Sequence, residues 1–141
     1  MKKVLLIAGA GTLGGSTYPE LVKLGYHVDV ISLEDYASVT PFLTFVKARA
    51  DLGFLKGFFR ERGRYAAIVD FVHTPDIEAL KSRMDLILAN TDQYVYLSSY
   101  RTYSDVDAVV TESTPQWLDT PLRRELDERM DAYFEKLGGA A

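Results

Sequence analysis

The sequence contains no cysteine, only two histidines and no excess of basic residues. Without cysteine it can form no disulfide, no thiolate nucleophile and no zinc site built on sulfur. His27 and His73 lie far apart and have no carboxylate at metal-ligand spacing, so a protein-held transition metal is not expected. The net charge of −4, from 16 basic and 20 acidic residues, offers no patch for phosphate backbones, so nucleic acid is not an expected partner.

Long apolar runs are also missing, since none approaches the ~18 residues that a membrane span needs. No membrane partner is therefore expected. The 141 residues, 48% hydrophobic and 26% charged, predict one globular domain over 1–141. Met1–Lys3 and the apolar residues after them resemble a short signal peptide, so secretion is the alternative. No small-residue cleavage pattern follows, and the sequence favours a cytoplasmic protein.

Short apolar runs alternate with longer helical patterns, which is typical of βα units that build a parallel sheet. The patterns predict five strands, at 4–8, 28–32, 43–46, 66–71 and 93–98, and helices at 12–24, 51–62, 75–90 and 120–137. Asn90 is expected to end the third helix in the left-handed conformation. Right-handed crossovers make this an α/β fold, a Rossmann-like doubly wound parallel sheet of about five strands with flanking helices.

The first strand is followed by a G-x-G-x-x-G sequence at the start of the first helix, which comprises Gly9, Gly11, Thr12, Leu13 and Gly14. In dinucleotide-binding domains the first glycine permits the turn and the second admits the pyrophosphate. The third packs the helix against the strand, and the helix N-terminus supplies free N–H groups. The motif therefore predicts a dinucleotide site. The alternative is a glycine-rich β-α turn without a ligand.

Glu34 and Asp35 follow the second strand, about 20 residues after the glycines. A carboxylate there would accept hydrogen bonds from the hydroxyls of the adenosine ribose. No Arg or Lys lies within 28–44 to bind a 2′-phosphate, so the sequence favours NAD over NADP. The alternative is that both acids are solvated loop charges.

The assembled motifs resemble the N-terminal half of the extended short-chain dehydrogenase/reductases, the NAD-dependent epimerase/dehydratase family. The resemblance rests on the glycine-rich turn, on segments 68–73, 97–99 and 110–115, and on Tyr103. It implies that the stretch around Phe71, Val72 and His73 lies beside the adenosine and the nicotinamide ribose, with Ser98 also at the cofactor. It implies that Ser99 is the catalytic residue that binds the reacting substrate oxygen. The alternative is that Ser98, Ser99 and Tyr103 are polar groups at a strand end.

The family's reaction also needs a Tyr-x-x-x-Lys pair, in which the lysine lowers the pKa of the tyrosine so that the phenol exchanges a proton. Tyr133 lies at a suitable distance after Ser99, but Leu137 stands four residues on. The nearest lysine is Lys136, three residues on, which places it on a neighbouring side of the helix. Tyr133 and Lys136 are the candidate pair. The alternative is that Tyr133 belongs to the apolar stripe of the last helix.

The resemblance implies an NAD-binding protein that acts, if active, on a nucleotide-sugar or a similar hydroxyl or carbonyl substrate. Family members carry a C-terminal half that builds the substrate pocket, so little turnover is expected of these 141 residues alone. A non-catalytic dinucleotide sensor and a protein-interaction module are the alternatives. The fifth strand is expected at an unpaired sheet edge, which predicts a homo-oligomer formed through that strand or the last helix.

Overall fold

The computed structural model describes residues 1–74, 76–98, 103, 109–114, 116 and 132. The backbone divides into two compact units, Met1–Ser98 and Ser99–Ala141. The single domain expected over 1–141 stays a prediction.

The first unit alternates strands and helices, except that β2 is followed directly by β3. Its elements are β1 (Lys3–Ile7), α1 (Thr12–Lys23), β2 (His27–Ser32), β3 (Leu43–Lys47), α2 (Leu52–Arg62), β4 (Tyr65–Asp70), α3 (Ile77–Leu88) and β5 (Thr91–Tyr96). Every bound lies within two residues of the sequence prediction. The α/β class is therefore confirmed.

The five strands form one parallel sheet in the order β3-β2-β1-β4-β5. The chain runs from β1 outwards to β3 and then crosses to β4 on the other side of β1, which is the Rossmann arrangement. β1 thus pairs on both sides and is buried on both faces, which explains its unbroken apolar run from Val4 to Ile7.

Alternate strand residues build two cores, one on each face of the sheet. On the α1 face, Val4, Leu6, Val28, Val30 and Leu43 pack with partly buried residues of α1. On the opposite face, the core contains Leu5, Ile7, Ile31, Leu55, Phe58, Phe59, Tyr65, Ile68 and Ile87 from the strands, α2 and α3. Helices therefore cover both faces, as the doubly wound prediction requires.

Side chains fix the starts of α2 and α3. Asp51 accepts a hydrogen bond from the Phe54 N–H at 2.8 Å, and Asp76 accepts one from the Ala79 N–H at 2.7 Å. The prediction that Asn90 ends α3 in the left-handed conformation is wrong, because Ala8 is the single non-glycine residue with positive φ in the described chain. The Asn90 side chain instead donates to the Leu86 carbonyl at 2.8 Å, so a side-chain hydrogen bond ends the helix.

The second unit is described at few positions. Tyr103 and Gln116 form an isolated antiparallel bridge, and the Thr111 N–H donates to the Thr114 hydroxyl at 2.9 Å. Of the helix predicted at 120–137, only Ala132 lies among the described residues, where it is helical. Across the described segments, no helix has the length and apolar character to cross a membrane.

Candidate functional site

A cleft of about 610 Å³ opens where β1, β2, β3 and β4 end. Its walls include Ala8 after β1, Ile31–Leu33 at the end of β2, Ala48–Ala50 after β3 and Val72–Thr74 after β4. The first residues of α2 and Ala79 and Arg83 of α3 complete it. Open α/β sheets bind ligands at the carboxyl ends of their strands, beside the point where the strand order reverses. Here that point is between β1 and β4.

The glycine-rich turn lies between β1 and α1 at the same edge, and two of its glycines differ sharply. A Cβ at Gly14 would lie 2.0 Å from the Gly9 carbonyl oxygen, so the helix can pack on the turn only if this residue is glycine. A Cβ at Gly11 would meet nothing within 4 Å. Gly11 has φ −73° and ψ −171°, values that any residue can adopt. The fold therefore requires Gly14 but not Gly11.

The start of α1 also differs from the starts of α2 and α3, which aspartates cap. Gly11 occupies the N-cap of α1, and no side chain accepts a hydrogen bond there. No acidic residue stands in its first turn, which contains Thr12 and Leu13. The first N–H groups of a helix have no partner within the helix and carry partial positive charge. This end of α1 can therefore accept an anion from outside the helix.

Ala8 joins β1 to the turn with φ +58°. A Cβ in the left-handed region costs of order 1 kcal/mol relative to glycine. Ala8 also lines the cleft, so the strained residue stands at the site. The sequence prediction assigned the turn to Gly9 and overlooked Ala8, because only the backbone conformation distinguishes the two positions.

A buried network of hydrogen bonds around Asp70 stabilises the wall of the cleft. Asp70, the last residue of β4, receives two hydrogen bonds from Arg83, Nε to Oδ2 at 2.9 Å and Nη2 to Oδ1 at 3.1 Å. The Val72 N–H and the Tyr94 hydroxyl donate to the same carboxylate, each at 3.0 Å. Arg83 Nη1 also donates to the Ala50 carbonyl. One ion pair thus ties together β4, β5, α3 and the loop before α2.

Tyr94 shows the electrostatic effect of this network. Burial is the main cause that raises the pKa of its hydroxyl, and the charge of Asp70 and the hydrogen bond to it raise the pKa further. The hydroxyl therefore stays protonated and donates throughout the physiological range. Its role in this geometry is to hold Asp70, not to exchange protons.

Four predicted cofactor residues follow β4 and β5. Val72 and His73 line the cleft, with His73 exposed, while Phe71 packs against the core on the α1 face. The Phe71 N–H donates to the Ile7 carbonyl at 3.1 Å, which extends the β1–β4 pairing. Ser98 follows β5 and is exposed. The structure thus brings Val72 and His73 to the cleft, and Phe71 and Ser98 remain predictions.

Glu34 and Asp35 lie in the loop after β2 and are not among the residues that line the cleft. Glu34 Oε2 accepts a hydrogen bond from the Tyr36 hydroxyl at 2.7 Å, which with the charge of Glu34 raises the Tyr36 pKa. The Tyr36 ring lies 5.4 Å from that of Phe45, on the α1 face. The Glu34 carboxylate is therefore engaged outside the cleft, and the ribose contact of both acids stays a prediction.

Arg49 lines the cleft instead, although the sequence interpretation did not consider it. That interpretation searched 28–44 for basic residues, the segment that follows β2 in the chain. Arg49 follows β3, and β3 pairs with β2, so residues distant in sequence meet at one edge. A search that included the ends of neighbouring strands would have found it.

The predicted catalytic residues Ser99, Tyr133 and Lys136 lie outside the described residues. Among the residues that the structure does describe, no group of three or more His, Asp and Glu side chains could hold a metal ion.

Comparison with known proteins gives matches among solved structures. A UDP-Glc/GlcNAc 4-epimerase from Campylobacter jejuni has a TM-score of 0.67 at 19% identity over 82% of this chain and 43% of its own. A dTDP-glucose 4,6-dehydratase from Bacillus anthracis, in complex with NAD, has a TM-score of 0.64 at 19% identity over 96% of this chain and 51% of its own. The WbmG enzyme of Bordetella bronchiseptica, also in complex with NAD, has a TM-score of 0.64 at 14% identity.

The chain shares the fold of these enzymes. It spans about half the length of the solved structures that it matches, which agrees with the predicted likeness to one half of an extended short-chain dehydrogenase/reductase. No protein-family model and no curated protein matches the sequence. At these identities the likeness establishes the Rossmann-like fold, and the activity must be argued from the site.

Proposed function

We propose that this chain binds a nicotinamide adenine dinucleotide along the carboxyl edge of its sheet. One observation carries the proposal. The uncapped start of α1 stands beside Gly11, a glycine that the fold itself does not require and above which space is open. A pyrophosphate fits both features, because it would accept from the free N–H groups and needs close approach to the backbone.

The cleft supports the same proposal. It lies on the α2 and α3 side of the edge, where an adenosine attached to that pyrophosphate would reach the ends of β2 and β3. Its walls contain apolar groups from Ala8, Ile31, Ala48 and Val72, which suit an adenine ring. The similar dTDP-glucose 4,6-dehydratase and WbmG structures are complexes with NAD.

Substitution of Gly11 with valine tests the pyrophosphate site. The side chain has room in the free protein, so Gly11→Val should fold and lose only the modest capping contribution of glycine. It would occupy the space of the pyrophosphate, and NADH affinity in a calorimetric titration should fall by about tenfold or more. Gly57→Val is the matched control, since a Cβ at this exposed position on α2 also meets nothing. Unchanged NADH affinity in Gly11→Val would contradict the proposed site.

We propose further that the complete protein performs epimerase or dehydratase chemistry on a nucleotide-sugar or similar hydroxyl or carbonyl substrate. The support is the shared fold with enzymes of that kind. Ser99, Tyr133 and Lys136 would carry the chemistry by resemblance, with Ser99 at the substrate oxygen and Tyr133 exchanging the proton. Nicotinamide absorbance with a panel of nucleotide-sugars tests this. We expect little turnover from the 141 residues alone, and strong turnover lost in Tyr133→Phe would overturn that expectation.

We also propose self-association through β5. Within the described residues β5 is an outer strand of the sheet, and Val95 is 43% exposed. The free N–H and C=O groups of such a strand can pair with another chain. Light scattering over a concentration series should show a dimer or larger assembly, whereas a monomer at high micromolar concentration would contradict the proposal.

A further inference from the structure

Three charged side chains line the cleft, and two of them are engaged. Asp51 accepts a hydrogen bond from the Phe54 N–H at the start of α2, and Arg83 is bound to Asp70. The third, Arg49, is exposed, and its guanidinium has no hydrogen bond or ion pair within the described chain. Arg49 therefore presents unpartnered N–H donors to the cleft, on a side chain that binds phosphates through paired donors. The Asp51 carboxylate in the same wall keeps its negative charge, since its hydrogen bond comes from a neutral N–H.

The position of Arg49 relates its guanidinium to one part of the dinucleotide. In Rossmann domains the adenosine ribose lies at the end of the second strand. Here that end is Ser32, which pairs with Lys47, and the Ala48 N–H donates to the Ser32 carbonyl at 2.8 Å. Arg49 is the next residue after Ala48. Its side chain therefore leaves the backbone beside the place where the ribose 2′ position is expected.

The two acids that the sequence predicted at the ribose do not line this cleft. Glu34 is engaged by Tyr36, and neither Glu34 nor Asp35 is among the lining residues. A carboxylate that accepts from the ribose hydroxyls favours NAD, whereas an arginine near the ribose accommodates the 2′-phosphate of NADP. The described cleft offers the arginine.

We propose that Arg49 binds the 2′-phosphate and that the chain prefers NADP(H) to NAD(H). This inference rests on the proposed dinucleotide site and departs from the preference for NAD that the sequence predicts. It also sets the chain apart from the similar structures in complex with NAD. Arg49 is a specificity-determining residue in this assignment and has no part in the chemistry.

The neighbouring lysine provides a matched control. Val46 and Ala48 pack against the α2 and α3 face, so Lys47 between them lies on the α1 face of the sheet. Lys47 is exposed and does not line the cleft. Lys47→Ala therefore removes the same charge two residues away, on the opposite face.

Calorimetric titration with NADPH, NADH, adenosine 2′,5′-bisphosphate and AMP tests the assignment in the parent, Arg49→Ala and Lys47→Ala. The parent should bind NADPH and the bisphosphate about tenfold more tightly than NADH and AMP. Arg49→Ala should remove most of that difference without weakening NADH. Lys47→Ala should keep it. The preference should also weaken with added salt, because an exposed guanidinium and a phosphate are screened.

The remaining outcomes separate this inference from the proposed function. NADH binding equal to or tighter than NADPH binding would overturn the role of Arg49 and leave the dinucleotide site standing. Arg49→Ala that weakens NADH and NADPH equally would make Arg49 an adenine contact and also overturn the inference. If no dinucleotide binds, both proposals fail.

Discussion

Two buried aspartates on the same face of the parallel sheet are held differently, one at the carboxyl end of β4 and one inside β2. Asp70, at the carboxyl end, is fully buried and receives four hydrogen bonds, two of them from Arg83. Asp29, in the middle of β2 on the same face, receives one from the Tyr65 hydroxyl at 2.6 Å. Its Oδ1 is buried and accepts no hydrogen bond within the described chain. Of the two carboxylates, the one beside the cleft is therefore the more fully hydrogen-bonded.

The cation near Asp70 is also closer and more deeply buried than the cation near Asp29. Arg83 is buried and contacts Asp70 at 2.9 Å, whereas Arg62 is half-exposed and lies 3.8 Å from Asp29. His27 Nε2 lies 3.4 Å from Asp29 Oδ1. A buried pair with good geometry depends strongly on both partners, and an exposed, distant one contributes little. The buried Arg83–Asp70 ion pair thus lies beside the cleft, where a ligand site needs fixed walls.

Removal of each arginine should give the largest contrast. Arg83→Met leaves the buried Asp70 carboxylate without its cation and should lower the free energy of unfolding by about 3–5 kcal/mol. Arg62→Met removes a half-exposed side chain whose Nη1 lies 3.8 Å from Asp29 Oδ2, and it should cost less than about 1 kcal/mol. Urea denaturation of both variants measures the difference. Equal losses would show that the two aspartates depend on their cations alike.

The two tyrosines give a second, smaller contrast, in the opposite direction. Tyr65→Phe removes the hydrogen bond that Asp29 receives, and should cost about 2 kcal/mol because the acceptor is a buried charge. Tyr94→Phe removes one of the four donors to Asp70 and should cost about 1 kcal/mol. Thermal unfolding of the two variants compares them directly. A larger loss in Tyr94→Phe would mean that the Asp70 network has little redundancy.

The turns at the two ends of the sheet differ as well. Before β2 and β4 the left-handed positions are glycines, Gly25 and Gly63, with φ +88° and +75°. After β1 the left-handed residue is Ala8. We expect Ala8→Gly to stabilise the protein by about 1 kcal/mol and Gly25→Ala to destabilise it by about as much. Chemical denaturation checks both signs, and a destabilised Ala8→Gly would show that the Cβ has a packing role.

Alkaline pH should also lower the stability of the folded chain. Burial is the largest cause that raises the pKa values of Tyr65 and Tyr94 above their ordinary value of 10.0, and the nearby aspartates add to it. In the unfolded chain these phenols lose protons near pH 10, while in the folded protein they keep them. Stability is therefore complete below pH 10 and falls as the pH rises further. Unfolding at pH 9 to 11 should show a weaker decline in the Tyr65→Phe, Tyr94→Phe double variant than in the parent.

Much of the local structure could be predicted from the sequence, because local physics decides it. The unbroken apolar run of β1 predicts a central strand, and Asp51 and Gly63 mark the ends of α2. Gly14 was predicted to let the helix pack against the strand. The structure agrees, because a Cβ at Gly14 would clash with the Gly9 carbonyl oxygen. The prediction of a left-handed Asn90 was wrong, because the Asn90 side chain ends the helix by donating a hydrogen bond to the Leu86 carbonyl.

The walls of the site could not be predicted from the sequence, because tertiary contacts form them. Arg83 pairs with Asp70 and reaches Ala50, 33 residues before it in the chain, and no periodic pattern indicates such pairs. Glu34 was predicted at the ribose from its distance along the chain, whereas the structure shows it bonded to Tyr36. Sequence spacing fixes which strand a residue follows, but not the direction of its side chain in a loop.

The sequence by itself determined the order of strands and helices, the parallel sheet and the glycine-rich turn. Each of these depends on hydrophobic periodicity and on the conformations open to residues a few positions apart. The tertiary structure decided that Ala8 takes a left-handed conformation, that Asp70 is neutralised by Arg83, and that Arg49 stands free at the cleft. Those outcomes depend on which strand ends become neighbours, and strand pairing brings together residues that the chain keeps far apart.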